Sequence, residues 1–155
     1  MILTDYIPRT HIVTDFKAQS KDQALTGLCQ LASDLAQKAD PKTFLDVVQA
    51  RENAGSTGFG GGVALPHGKS SSVDKPLVVM AVSPSGVDFD SLDGQPVHVF
   101  VLMLTPLAGN GREHLQLLAH VGALFKSPQA VHEIRSAQNA DEIYGFLAKR
   151  DSGHV

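Results

Sequence analysis

A single cysteine, Cys29, excludes an internal disulfide. It lies in an apolar helical pattern and reads as a small buried filler, not a reactive thiol. Long hydrophobic runs are missing as well. The longest are Leu77–Val82 and Val97–Leu104, the second broken by His98, and both fall far short of the ~18 residues that a spanning helix needs. Met1–Thr14 carries charged and polar residues where a signal peptide needs an apolar stretch. There is no excess of positive charge: 13 Lys and Arg stand against 16 Asp and Glu, for a formal net charge of −3. The basic residues do not cluster, which argues against nucleic acid and against an anionic membrane surface as partners. No H-x-x-x-H and no Cys/His ligand pair occurs, so a metal site is not expected. The chain has neither an internal repeat nor a low-complexity linker. With 43% hydrophobic and 19% charged residues, the 155-residue chain is expected to be a single domain over 1–155, soluble and cytosolic, with a frayed end at 151–155.

What is present reads as alternating elements. His11–Phe16 is β-prone. Ser20-Lys21-Asp22-Gln23 has the form of a capping box. The apolar positions after it (Leu25, Leu28, Cys29, Leu31, Ala32, Leu35) recur at helical spacing. Asp40-Pro41 starts a second helix, expected to stop near Gly55 as a left-handed terminator. Arg51 falls in its last turn. Pro76–Val82 and Pro96–Leu104 are buried-strand candidates, separated by turn signals over Ser83–Gly94. Glu113–Lys126 is helical, Ser127-Pro128 starts another helix, and Asn139 caps a last one running to about Arg150. Helices flank a central run of strands. The predicted fold is therefore α/β, a three-layer α/β/α sandwich with a central mixed β-sheet.

The segment Arg51–Lys69, RENAGSTGFGGGVALPHGK, carries the chemistry. Glycines 55, 58, 60, 61 and 62 precede His67, which sits between Pro66 and Gly68 in an expected turn. Glycine permits close approach of a partner, and proline stiffens the backbone on one side of the ring. The other histidines have weaker contexts. His11 and His132 have no supporting neighbours, His154 lies in the tail, and His98 reads as a satisfied residue on a sheet face. His114 and His120 are six residues apart on one helix, about 120° around it, and cannot hold a metal from one face. His114 borders the apolar stripe Leu117, Leu118 and Val121, where it can reach a cleft or stand equally well as a plain boundary residue. A phosphate-binding P-loop does not fit: Gly68-Lys69-Ser70 requires its leading glycine at position 63, which is Val63, and Pro66 removes an amide donor.

The run R-E-x-x-G-S-T-G-x-G-x-G-x-A-x-P-H-G-K, followed by V-D-F-D-x-L-D-G-x-P-V at Val87–Val97 and E-H-L-x-x-L-A at Glu113–Ala119, resembles the fructose/mannitol-type enzyme IIA domains of the bacterial phosphoenolpyruvate-dependent phosphotransferase system. The resemblance covers nearly the whole chain. It implies a type-2 IIA domain, a phosphotransferase that takes a phosphoryl group from a phosphohistidine carrier of the HPr or NPr kind. It puts acceptance on Nε2 of His67, and puts Arg51 and His114 in the same site. Ser56 and Thr57 are possible additional hydroxyl donors, and ordinary turn chemistry explains them equally well. No cofactor or metal is expected, because the donor is already an activated phosphoramidate. As a stand-alone chain with G-S-T-G and H-G-K, the sequence is most similar to the nitrogen-type regulatory branch, whose targets include transporters and sensor kinases. The alternative is a sugar-uptake component that hands phosphate to a IIB domain. One departure stands out. Members commonly have Asn between the last two glycines of G-x-G-N-G, and this chain has Gly61, which is expected to loosen the loop.

Overall fold

A computed structural model describes residues 1–37 and 40–153. In chain order the elements are α1 (Leu3–Tyr6), a 3-10 turn (Arg9–His11), β1 (Ile12–Val13), α2 (Lys21–Ala36), α3 (Pro41–Asn53), β2 (Gly58–Gly60), β3 (Val63–Ala64), β4 (His67–Ser70), β5 (Leu77–Val87), β6 (Val97–Pro106), α4 (Arg112–Leu124), α5 (Pro128–Ser136) and α6 (Ala140–Asp151). The helix starts follow the capping signals. Ser20 Oγ accepts from the Gln23 amide at 3.1 Å, Asp40 from Lys42 at 3.0 Å, Ser127 from Ala130 at 3.2 Å and Asn139 from Glu142 at 2.9 Å. The capping box at Ser20 is offset by one residue: the Gln23 side chain accepts from the Gln19 amide at 2.9 Å. Gly55 is not the left-handed helical terminator expected from its type. Helix α3 ends on Ala54 in the right-handed region, and Gly55 takes φ +152°.

The sheet is mixed, in the order β1-β5-β6-β3-β2, with β4 also on β6. Strands β5 and β6 are antiparallel, whereas β1 runs parallel to β5. The stretches Val78–Ser83 of β5 and Val99–Thr105 of β6 are buried on both faces, which explains their continuous apolar runs. Val78, Met80, Val99, Val101 and Met103 face one core with α4, α5 and α6. Val79, Ala81, Phe100, Leu102 and Leu104 face the other core, with α2 and α3. Alternation along each strand thus feeds both layers. Cys29 is buried in the second core, and burial pushes its thiol up to about 12. Strand β5 extends beyond the predicted end at Val82 to Val87, through Pro84, with a register irregularity between Val82 and Val87. There His98 Nδ1 lies 2.9 Å from the Ser83 carbonyl oxygen.

The largest departure from expectation concerns the P-H-G segment. It is extended, not a turn. Strand β3 pairs with β6 as Val63↔Val99 and Ala64↔Phe100, and β4 pairs as His67↔Met103 through Ser70↔Pro106. The offset is the same, so β3 and β4 are one parallel strand interrupted at Leu65-Pro66. Proline removes a donor there, yet its carbonyl still accepts from the Met103 amide at 3.0 Å. Gly68 serves packing. A Cβ at that position would lie 2.9 Å from Val47 Cγ2 and 3.2 Å from the Val47 carbonyl carbon. Helix α3 therefore rests directly on the β4 backbone. Gly68→Ala is expected to cost about 1–3 kcal/mol by overpacking, read as a fall of several degrees in the thermal midpoint. An unchanged midpoint would show that α3 can move away freely.

The chain ends are tied together. The Asp151 carboxylate, placed by sequence in a frayed end, accepts from the Leu3 and Thr4 amides at 2.8 and 3.0 Å and from the Thr4 hydroxyl at 2.9 Å. His154 and Val155 lie outside the described residues.

Candidate functional site

His67 opens β4 and is half-buried. Strand parity puts 63, 65, 67 and 69 on the face covered by α4, and the β4–β6 register puts Met103 and Thr105 on that face too. Helix α4 begins over this end of the sheet and lays His114 against it. The two imidazoles, 47 residues apart in sequence by 114 − 67, have ring centroids 5.6 Å apart with a 56° tilt between their planes.

Each ring is held at Nδ1. His67 Nδ1 lies 2.8 Å from the Leu65 carbonyl oxygen. A carbonyl can only accept, so Nδ1 carries the proton and Nε2 keeps its lone pair. His114 is 9% exposed, and its Nδ1 contacts Thr105 Oγ1 at the end of β6. Burial lowers the His67 pKa below its ordinary 6.5 and the Arg51 charge adds to this, against the Leu65 hydrogen bond and the Glu52 charge. Burial likewise lowers His114, with help from positive charge on His67 and Lys69. Both rings are therefore neutral near pH 7.

Arg51, in the last turn of α3, is close enough for its charge to act on His67. Its Nη1 donates to the Gly55 carbonyl at 2.8 Å. That bond anchors one corner of the guanidinium and, among the described residues, leaves most of its donors open. The structure thus brings Arg51, His67 and His114 into one neighbourhood.

Ser56 and Thr57 are committed elsewhere. The Thr57 hydroxyl donates to Glu52, and Ser56 Oγ donates to the Phe89 carbonyl at 3.2 Å while accepting from the Gly58 amide at 3.0 Å. Neither proton is spare for a ligand, so both act as loop supports. Glu52, next to Arg51 in sequence, does not pair with it. It is buried, binds Lys21 Nζ at 2.9 Å and accepts from the Thr57 amide at 3.1 and 3.2 Å. It thereby ties α2, α3 and the start of the glycine loop together. Glu52→Gln leaves Lys21 without its counter-charge and turns an amide donor toward Thr57. The expected cost is about 2–3 kcal/mol, less than for a fully buried pair because Lys21 is partly solvated. Urea unfolding measures it, and an unchanged midpoint would dismiss the pair as a structural tie.

Gly61 takes φ +68°, a region that Asn also tolerates, and a Cβ there would meet nothing within 4 Å. Its amide donates to Asp93 Oδ2 at 3.0 Å, and Asp93 Oδ1 accepts from Gln95 at 3.0 Å. Backbone hydrogen bonds, first from Gln95 and then from Gly61, lower the Asp93 pKa. The loop therefore has a tether independent of any side chain at position 61.

Three residues near the pair were not singled out by sequence: Thr105, Lys69 and Glu52. Lys69 shares the face of His67, and its Nζ reaches the start of α4, where a Cβ on Gly111 would lie 3.0 Å away. Lys69 and Glu52 were visible as members of the long motif, but Thr105 carried no local signal. A cleft of about 880 Å³ between Phe59, Asp93 and the α5 residues Val131, His132 and Arg135 contains neither ring of the pair. His67 is half-buried and His114 buried, and His114 borders a smaller cavity of about 160 Å³ together with Thr105 and Gly111.

An α/β/α sandwich that presents a neutral, tautomer-fixed imidazole beside a guanidinium is of a class fitted to carry an anionic group. The comparisons narrow this class. Residues 5–150 match the family described as "Phosphoenolpyruvate-dependent sugar phosphotransferase system, EIIA 2". A nitrogen regulatory protein of Bradyrhizobium diazoefficiens is 36% identical over 148 residues, spanning 96% of this chain and 95% of that protein. A fructose-specific EIIA component of Haloferax volcanii is 32% identical over 84% of each chain. The crystal structure of the nitrogen regulatory protein IIA-Ntr from Neisseria meningitidis superposes with a TM-score of 0.86 at 28% identity, covering 94% of this chain and 98% of the other. The chain belongs to the EIIA type-2 family of the phosphotransferase system.

Proposed function

We propose that this protein accepts a phosphoryl group on His67 Nε2 from a phosphohistidine carrier of the HPr or NPr kind, and that it acts as a nitrogen-type regulatory IIA protein. The observation that carries the role of His67 is the Nδ1 contact with Leu65 O, which leaves Nε2 as the nucleophilic nitrogen. The lone pair of Nε2 attacks phosphorus. The P–N bond of the donor breaks, and its electron pair returns to the donor imidazole. Nδ1–H stays bonded to the carbonyl, which favours the positive charge that develops on the ring. Arg51 supplies a fork of donors for the phosphoryl oxygens. His114 donates one more hydrogen bond and positions the group without attacking it. Phosphoryl transfer depends mainly on such alignment and charge stabilisation.

The regulatory reading draws support from the 36% identity to a nitrogen regulatory protein over nearly the full length of both chains. Added charge of about −1.5 to −2 at His67 would alter any interface centred there. Transporters and sensor kinases are the proposed targets, and the cytoplasm the proposed site of action. Among the described residues no helix is long and apolar enough to cross a membrane. The second reading, passage of phosphate to a IIB domain, draws on the similarity to the fructose-specific component. Capture experiments with the phosphorylated and unphosphorylated protein separate the two. Partners that change with phosphorylation support regulation, and loss of the label to a IIB domain supports transport.

The basic test is phosphorylation by phosphoenolpyruvate, enzyme I and the carrier, with intact mass as the readout. One acid-labile phosphoryl group is expected, and none would reject the proposal. The pH profile adds a prediction. Because burial and Arg51 lower the His67 pKa, more than half of Nε2 stays free at pH 6.5, where an ordinary histidine is half protonated. The labelling rate, with the phosphorylated carrier saturating, should therefore fall with a midpoint below 6.5. The same sign applies to folding: the unfolded chain takes the proton first, so stability declines as pH drops below about 6.5 toward the lowered folded value. A labelling rate that halves at 6.5 would contradict the shift.

A further inference from the structure

Thr105 has no role in the reading above, yet it makes a buried polar contact with one of the two rings. It is 2% exposed, at the end of β6, and its Oγ1 touches His114 Nδ1. Among the described residues this ring nitrogen is the only hydrogen-bond partner of the hydroxyl. Two arrangements satisfy the distance. In the first, His114 Nδ1–H donates to Thr105 Oγ1. The hydroxyl proton is then left buried without an acceptor, a cost of about 1–3 kcal/mol. In the second, Thr105 O–H donates to Nδ1. The buried proton is satisfied, and the ring must carry its own proton on Nε2.

The second arrangement also suits the neighbouring ring. Leu65 O forces the His67 proton onto Nδ1 and leaves a lone pair on Nε2. The ring centroids are 5.6 Å apart. An N–H at His114 Nε2 complements that lone pair, or an oxygen attached to it, whereas a second lone pair would oppose it. The two anchors come from one piece of the sheet. His67 pairs with Met103 and Lys69 with Thr105 in the parallel β4–β6 ladder. The strand that carries the acceptor ring is thus in register with the residue that sets the donor ring.

We propose that Thr105 is a positioning residue: its hydroxyl donates to His114 Nδ1, holds that ring as the Nε2–H tautomer, and so aims an N–H at the phosphoryl group on His67. The inference rests on His67 as the acceptor. It assigns the two histidines opposite tautomers, one fixed by a carbonyl and the other by a hydroxyl.

The experiment is long-range proton–nitrogen NMR of the full chain at neutral pH, with His114 assigned by comparison with His114→Gln. The proton is expected on Nε2 in the wild type and in Thr105→Ser. In Thr105→Val, which keeps the shape and loses the hydroxyl, it should redistribute toward Nδ1. Transfer from the carrier should slow roughly tenfold in the valine variant, less than the about 10²–10³ lost when such a donor is removed outright. The serine variant should restore the rate. A wild-type His114 protonated on Nδ1 overturns the proposal, as does a valine variant with unchanged tautomer and rate. If the valine variant does not fold, the wild-type spectrum decides alone. Failure of His67 to label in the wild type would sink the acceptor reading, while the tautomer measurement would still report on Thr105.

Discussion

His67→Ala is expected to take no label at all from phosphoenolpyruvate, enzyme I and carrier, while remaining folded. The predicted effect is large because the nucleophile itself is removed. No neighbouring nitrogen can replace it: His114 is 9% exposed, with Nδ1 engaged by Thr105, and its proposed Nε2 proton makes it a donor, not a nucleophile. The fold should tolerate the change. The His67 side chain bonds Leu65 O and meets the His114 ring at a tilt of 56°, and alanine leaves the β4 backbone ladder to Met103 and Leu104 intact. Circular dichroism and the thermal midpoint should match the wild type within a few degrees. Labelling of the folded variant at the wild-type level would move the acceptor elsewhere, and peptide mapping of the label would say where.

The second large effect is expected from His114→Ala. Loss of a preorganised donor to a developing anionic centre typically costs about 10²–10³ in rate. Labelling should therefore be slow but measurable, and still confined to His67. This separates a positioning donor from the acceptor, whose loss leaves nothing. His114→Gln sharpens the test, because its amide N–H reaches about as far as Nε2–H of the ring. Partial recovery is expected in that variant. The alanine change also leaves the buried Thr105 hydroxyl without a partner, so some stability should be lost in parallel. Rates are best compared at a temperature where both proteins are fully folded. A wild-type rate in His114→Ala would retire its role.

Much of this was legible in the chain. The capping residues Ser20, Asp40, Ser127 and Asn139 each cap the helix they announce, because a side chain that satisfies an amide two or three residues away is a local event. The two apolar runs become the central strands because both of their faces need covering. Failures cluster where local chemistry was ambiguous. Pro-His-Gly has turn composition, yet it lies extended in the sheet, since pairing with β6 outweighs local preference. Gly68 suggested an open approach to the ring, but it is the place where Val47 of α3 rests on the backbone. Ser56 and Thr57 fitted ligand donors and ordinary turn chemistry equally well, and the bonds to Phe89 and Glu52 decide for the second.

The family resemblance carried by the long motif marked His67, Arg51 and His114 as candidates, and residue type alone left the two histidines open. Neither could show which ring nitrogen faces outward, or that Thr105 and Lys69 join the group. Those facts depend on strand register. A shift of one residue between β4 and β6 would turn Thr105 or His67 to the opposite face of the sheet. That register is set by packing on both faces at once, by α4 above and α3 below, and no window of local sequence contains both.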